Sequence, residues 1–239
     1  MPGQTPTTGV AGREDHSASL AQPIVRNLAP SGGEPVSILG SFGVPVQKAT
    51  ALALVADIAR RAGLIVCVRG VAARPAVEAW VRALAQRGML IDATVGLIDD
   101  SVMRSVLATT PPPDLVALLD ANLSALDIYA RSLADLVLAR LAKGSSEHPL
   151  TIFLSLADGV GALPLPRTFE RVCVLIDLDE RYIFRSASDA DELMAEAVNL
   201  EDGTLYAHLW RPAADRLRAQ IDELEPEQRT LVLSVLVVR

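Results

Sequence analysis

Cysteine, histidine, aromatic residues and surplus positive charge are all scarce in this sequence, and each scarcity narrows what the chain can do. Its two cysteines, Cys67 and Cys173, lie inside separate apolar runs. That is too few ligands at too wide a spacing for a disulfide framework or a thiolate metal site, so both are expected as buried reduced thiols. The three histidines, His16, His148 and His208, are scattered and form no ligand set with them. Acidic residues outnumber basic ones, 29 to 22, for a formal charge of −7. Nucleic-acid backbones are bound by clustered Lys and Arg, so nucleic acid is not the expected partner. No G-x-S-x-G occurs and no histidine has a credible partner, which argues against a nucleophilic triad.

Long apolar runs are missing from the first 33 residues, which are rich in Pro, Gly, Ser and Thr. They contain nothing long enough for a secretory signal or a membrane span, and Arg13 is followed at once by Glu14 and Asp15, which weakens an organelle-targeting reading. A flexible tail over 1–33, a single domain over 34–239 and a cytoplasmic protein are the expectations. Half of the residues are hydrophobic and only 4% aromatic, enough for one sizeable α/β core.

The stretch from Val36 to Gly70 organises that core. It reads as an apolar strand at 36–39, a glycine-bearing loop at 40–48, a helix at 50–62 and a second strand at 64–68. Strand, loop and helix in that order suit a phosphate-binding loop, in which backbone N–H groups and a helix N-terminus surround phosphate. The full pattern is G-x-x-x-x-G-K-S/T. Here the matching run is Gly43-Val44-Pro45-Val46-Gln47-Lys48-Ala49-Thr50. Gly43 and Thr50 keep their places, but Lys48 stands at the second glycine and Ala49 at the lysine.

Further on, Val77, Trp80, Val81 and Leu84 share one face of a helix over 74–86, with Pro75 in its first turn. A strand at 89–93 and a helix at 101–108 capped by Asp99 and Asp100 follow. The run at 115–119 fits either a buried strand ending at Asp120 or the start of a long helix, and 123–141 has helical spacing. Strands are expected at 151–156, 172–176 and 181–184, the last two joined in a hairpin by the acidic turn 177–180. A helix at 189–198, a strand at 204–209, a helix at 213–224 and an apolar terminal segment at 231–238 complete the pattern. Apolar strands alternating with amphipathic helices indicate a mostly parallel sheet covered on both faces.

Several segments in order resemble the nucleotide-binding core of the α- and β-type subunits of rotary ATP synthases, the α-type more nearly. These are the loop before Lys48-Ala49-Thr50, Cys67 to Val77 (CVRGVAARPAV), Met89 to Val102 (MLIDATVGLIDDSV), Leu115 to Ala125 (LVALLDANLSA) and Pro149 to Ser186. The similarity spans about 36–210 and is one of order and pattern, with few identities. It implies a three-layer RecA-like (P-loop NTPase-type) domain, with Gly40, Gly43, Lys48 and Thr50 as a degenerate nucleotide site and Asp120 on the magnesium side. The departures are substantial. The family's N-terminal barrel has no counterpart, its C-terminal bundle is reduced, and Val71 stands where a catalytic subunit has its carboxylate.

Alternatives stay open at each position. The loop is either a retained phosphate site or an ordinary connection, and Asp120 either a metal-side ligand or a capping residue. Asp177, Asp179 and Glu180 are either metal-binding acids or a turn. Arg69, Arg74 and Arg211 are either arginine fingers toward a neighbour or surface pairs. The resemblance implies a non-catalytic subunit without a required cofactor (or holding ATP or ADP with magnesium), bound to protein subunits of a homo- or hetero-oligomeric assembly, without a membrane span and peripheral to a membrane complex at most. The alternatives are an ATP hydrolase using Lys48 and an unrelated thioredoxin-like adaptor of a secretion or conjugation machine.

Overall fold

A computed structural model of the chain describes residues 24–29, 31–93, 96–143, 150–182, 184, 186, 189, 191–193, 195 and 208–236. Six strands form one sheet: β1 (Ile24–Leu28), β2 (Ile65–Arg69), β3 (Gly88–Asp92), β4 (Leu115–Leu119), β5 (Thr151–Ser155) and β6 (Cys173–Asp177). Their order is β1-β3-β4-β5-β2-β6. All neighbours are parallel except β1, which runs antiparallel along β3 with Ile24 opposite Asp92. The fold class is therefore α/β with a mostly parallel sheet.

The strands are short and almost wholly apolar because both of their faces are covered. Every residue of β4 and β5 is buried, and in β2 only Arg69 is exposed. β2 is followed by α3 (Ala73–Leu84), whose buried stripe Ala73, Ala76, Val77, Trp80 and Val81 follows helical spacing. Trp80 packs its ring on Phe153 of β5, centroids 5.5 Å apart. The chain crosses from β2 to β3 in one direction and steps back through β4, β5 and β6 in the other. Right-handed crossovers thus put α3 on one face and α4 (Ser101–Leu107), α5 (Leu126–Tyr129), α6 (Arg131–Lys143) and α7 (Arg167–Glu170) on the other. α1 (Pro35–Ser41) and α2 (Val46–Arg61) lie on the α3 side, with α2 against β2 and β6. At the end of the described chain, α8 (Arg211–Asp222) and α9 (Pro226–Leu236) pack on α2.

Several expectations change. Residues 36–39 belong to α1, not to a strand. Pro35 occupies the first turn, where its missing N–H costs nothing, and Leu39 turns inward. The leading strand of the expected loop is therefore absent, and 40–48 joins two helices. Residues 24–28 form β1, with Leu28 buried, within the stretch expected as a tail; 1–23 lie outside the described residues. Residues 123–141 break into a 3-10 turn at Ala121–Leu123, then α5 and α6. No hairpin follows β6 among the described residues, although the acidic run does make a turn. The expected helix at 189–198 is helical at 191–193, and the expected strand at 204–209 lies largely outside the described residues. The terminal apolar segment is α9, with Val232, Leu233, Val235 and Leu236 buried.

Candidate functional site

The parallel strands deliver Arg69, Asp92, Leu119, Ser155 and Asp177 to one end of the sheet. Since β2 leads away toward β3 while β5 leads the other way toward β6, the crevice of this fold lies between the carboxyl ends of β2 and β5. A cavity of about 650 Å³ opens there, with Arg69, Asn122, Asp158, Glu170 and His208 among its lining residues.

Polar groups around this end are joined to one another. Asp177 ends β6 and is buried; one carboxylate oxygen accepts the N–H groups of Asp179 (2.9 Å) and Glu180 (3.0 Å), the other accepts Arg69 Nε at 2.6 Å. Burial would raise the Asp177 pKa, but the Arg69 bond and the two backbone donors outweigh it and hold the carboxyl below the usual carboxylate range. The turn so formed aims Asp179 at the loop after β2. There its carboxylate accepts the N–H of Val71 at 2.8 Å and packs on Gly70, where an added Cβ would meet it at 3.0 Å. Gly70 has φ +118°, a conformation open mainly to glycine.

Arg74, in the first turn of α3, donates to Asp92 and to Asp120, so one guanidinium supplies the positive charge between two carboxylates. Arg26 of β1 adds a second bond to Asp92 at 2.8 Å. Asp120 follows β4 with φ 50° and donates its N–H to Ser155 Oγ at 2.9 Å. The Asn122 side chain bonds Ala157 and Leu163, fastening the loop after β5 to the turn after β4.

The residues expected to hold nucleotide are not brought together here. Gly40 is inside α1, and Gly43 makes a turn with φ +82° between α1 and α2. Thr50 sits in α2 with its hydroxyl donating to Val46 O at 2.9 Å. Lys48 does reach the carboxyl end, but its buried amine donates to the Leu178 and Glu180 carbonyls and lies 5.3 Å from the Tyr182 ring centroid. Desolvation lowers its pKa, opposed by Asp177, Asp179 and Glu180. The Lys48 amine and the Thr50 hydroxyl are thus both engaged by backbone carbonyls. Asp120 lies at the strand end the resemblance implies, but its carboxylate is paired with Arg74. Among the described residues no group of three or more His, Cys, Asp or Glu could hold a metal ion.

Arg69 and Arg74 belong to this network as internal partners of carboxylates, and Arg211 begins α8 away from it. Asp92, Asn122 and Arg26 are members that sequence reasoning missed. A signal for the first was present: Leu90-Ile91-Asp92, Leu118-Leu119-Asp120 and Leu175-Ile176-Asp177 each end an apolar strand in an aspartate. Cys67 and Cys173, on neighbouring strands β2 and β6, are free and buried, as expected. The thiol of Cys67 is pushed well up by its hydrogen bond with Cys173 and by burial.

No known protein family matches the chain, and no curated protein does.

Proposed function

We propose that the chain is a non-catalytic subunit of a multi-protein assembly, built on a RecA-like core of the rotary ATP synthase kind. Two features support the core. Counting only the parallel strands from β2, the order is second, third, fourth, first, fifth, with the first strand inside the sheet and followed by a glycine turn and a helix. That is the order expected of the RecA-like type, and an unbroken run of five parallel strands speaks against a thioredoxin-like adaptor.

The observation that carries the non-catalytic reading is the carboxylate of Asp179 on the Val71 N–H. In such a core the turn after the first strand and the start of the next helix are where phosphate would be held. In this chain an internal anion takes that donor, and Asp177, Asp92 and Asp120 take Arg69 and Arg74. An anionic nucleotide would have to displace several internal ion pairs. ATP or ADP with magnesium is therefore not part of the proposed working state, which is a structural or regulatory one. The setting is cytoplasmic, with any membrane association through partners; no helix among the described residues is long and apolar enough to cross a membrane.

Magnesium-dependent ATP hydrolysis and the fluorescence of a labelled ATP analogue test this directly. We expect no turnover above background and no saturable binding by the purified chain. Hydrolysis that disappears on Lys48→Ala or Arg74→Ala would overturn the proposal and favour the hydrolase alternative.

A further inference from the structure

At the amino ends of the parallel strands a cleft of about 790 Å³ lies between the end of α2, the turn after α3 and the starts of β4 and β5. Its walls carry three arginines, Arg60, Arg61 and Arg87, and one carboxylate, Asp114. A smaller cavity of about 130 Å³ shares Arg60 and Leu84 with this cleft and reaches inward between α2 and α3 to Trp80 and Phe153.

The acidic groups here are fully engaged, the arginines only in part. Asp114 accepts the N–H groups of Gln86 and Arg87 with its two oxygens. Asp57, in the wall of the smaller cavity, offers one oxygen to Arg60 at 2.7 Å and the other to Arg61 at 3.1 Å. A guanidinium carries five N–H donors, so Arg60 and Arg61 keep most of theirs. The Arg87 side chain makes no hydrogen bond or ion pair among the described residues. Three arginines against two carboxylates leave one positive charge in excess.

The inner cavity carries a second signal. Trp80 is 1% exposed, and its indole Nε1–H is buried without a hydrogen-bond partner. Buried indole donors ordinarily meet an acceptor, and an unpaired one is costly. The walls beside it are apolar, with Ala53, Ala56 and Phe153. A cavity of about this size accepts one benzene-sized ring. A free phosphate on the arginines would leave Trp80 unpaired, and a hydrocarbon chain would offer its N–H no acceptor.

We propose that the amino end binds a small aromatic acid. Its ring enters the cavity between α2 and α3, an oxygen on the ring accepts the Trp80 Nε1–H, and the acidic group lies against Arg60 and Arg87. Arginine forks match a carboxylate through two parallel hydrogen bonds. The site lies at the opposite end of the sheet from the ion-paired network and does not depend on the reading of the chain as an assembly subunit.

The test uses the full chain, with para-hydroxybenzoate and its longer homologue para-hydroxyphenylpropionate as probes and phenol and inorganic phosphate as comparisons. In proton–nitrogen correlation spectra, saturable binding of at least one acid should shift the Trp80 indole signal, identified by its loss in Trp80→Phe, more than that of Trp210. Calorimetry should show phenol and phosphate binding at least about tenfold more weakly. Arg60→Gln with Arg87→Gln should weaken the acid about tenfold or more, since hydrogen bonds between charged groups are lost. Ala53→Leu fills the inner cavity without removing a donor and should abolish binding, which keeps the test sound if Trp80→Phe fails to fold. Circular dichroism melts report whether each variant is folded. No saturable binding of either acid would overturn the proposal and assign the Trp80 N–H to a buried water. Phosphate or phenol binding as tightly as the acids would overturn it too, as would unchanged affinity in the Arg60/Arg87 variant or a Trp80 signal that does not move at saturation. ATP hydrolysis by the wild type would overturn the non-catalytic reading alone.

Discussion

At the amino ends of the parallel strands, acidic groups are satisfied locally. Asp57 pairs with Arg60 and Arg61 one turn along the same helix, and Asp114 accepts the backbone N–H groups of Gln86 and Arg87 in the adjoining turn. At the carboxyl ends the partners come from distant parts of the chain: Arg69 with Asp177, Arg74 with Asp92 and Asp120, Val71 with Asp179. The first end could lose the Asp57 ion pairs and keep its shape, since both lie within one helix. The second is a cross-linked cap in which one residue holds two or three strands. Its Arg69, Arg74, Asp92, Asp120 and Asp177 serve the chain itself.

This contrast predicts unequal costs for similar substitutions. Arg74→Ala leaves Asp120, with its side chain only 18% exposed, without its cation and beside Asp92, which keeps Arg26. The loss should be about 2–4 kcal/mol of stability, since stranding buried charge costs more than the pair returns. Arg60→Ala, in an exposed pair within one helix, should cost about 0.5 kcal/mol or less. Urea denaturation midpoints compare them, and equal shifts would remove the distinction between the two ends. Two glycines give a smaller version of the same test. Gly70→Ala combines φ +118° with a contact on the Asp179 carboxylate, whereas Gly63, with φ +76° in the turn before β2, has only the end of the Arg216 side chain at 3.9 Å. We expect about 2–3 kcal/mol for Gly70→Ala and about 1 kcal/mol for Gly63→Ala.

The smallest expected effect is one of pH. Burial opposes ionisation of Asp177, yet Arg69 and the turn N–H groups hold its carboxyl below the ordinary range. A carboxyl whose folded pKa is depressed contributes stability above its unfolded pKa, about 3.9 for Asp, and loses that contribution as pH falls through the folded value. The melting-temperature gap between wild type and Asp177→Asn should therefore be widest near neutrality and narrow in acid. A gap independent of pH would assign the Asp177 contribution to hydrogen bonding without charge.

Much of the sheet is legible in the sequence because β2, β3, β5 and β6 are apolar runs of strand length bounded by turn residues, and α3 is legible through its helical spacing; the run of β4 fitted a strand or a helix start equally. The run at 36–39 has no such length to separate strand from helix, and only Pro35 favoured the helix. Reading it as the first strand put a strand-to-helix loop at 40–48, where the chain joins two helices. The turn that follows the interior strand is Gly70 to Ala72, not 40–48. The cap itself depends on strand order. Arg74 meets both Asp92 and Asp120 because β3 and β4 are adjacent, although the two aspartates are well separated in the chain. No local pattern encodes that adjacency, and the repeated aspartate at the strand ends hinted at it only in retrospect.

The position of β2 bears on how the molecule is made. Both of its neighbours arrive late: Ile65 pairs with Ile152 on one side and with Cys173 on the other. A ribosome releasing this chain from the N-terminus exposes β2 as an unpaired apolar strand until β5 emerges, and leaves its second edge open until β6 follows. Only then can α9 close over α2. Long-range parallel pairing of this kind is slow and aggregation-exposed. Chains cut short before residue 177 would keep that strand bare on one side, so premature termination should yield insoluble fragments, with no smaller folded core to fall back on.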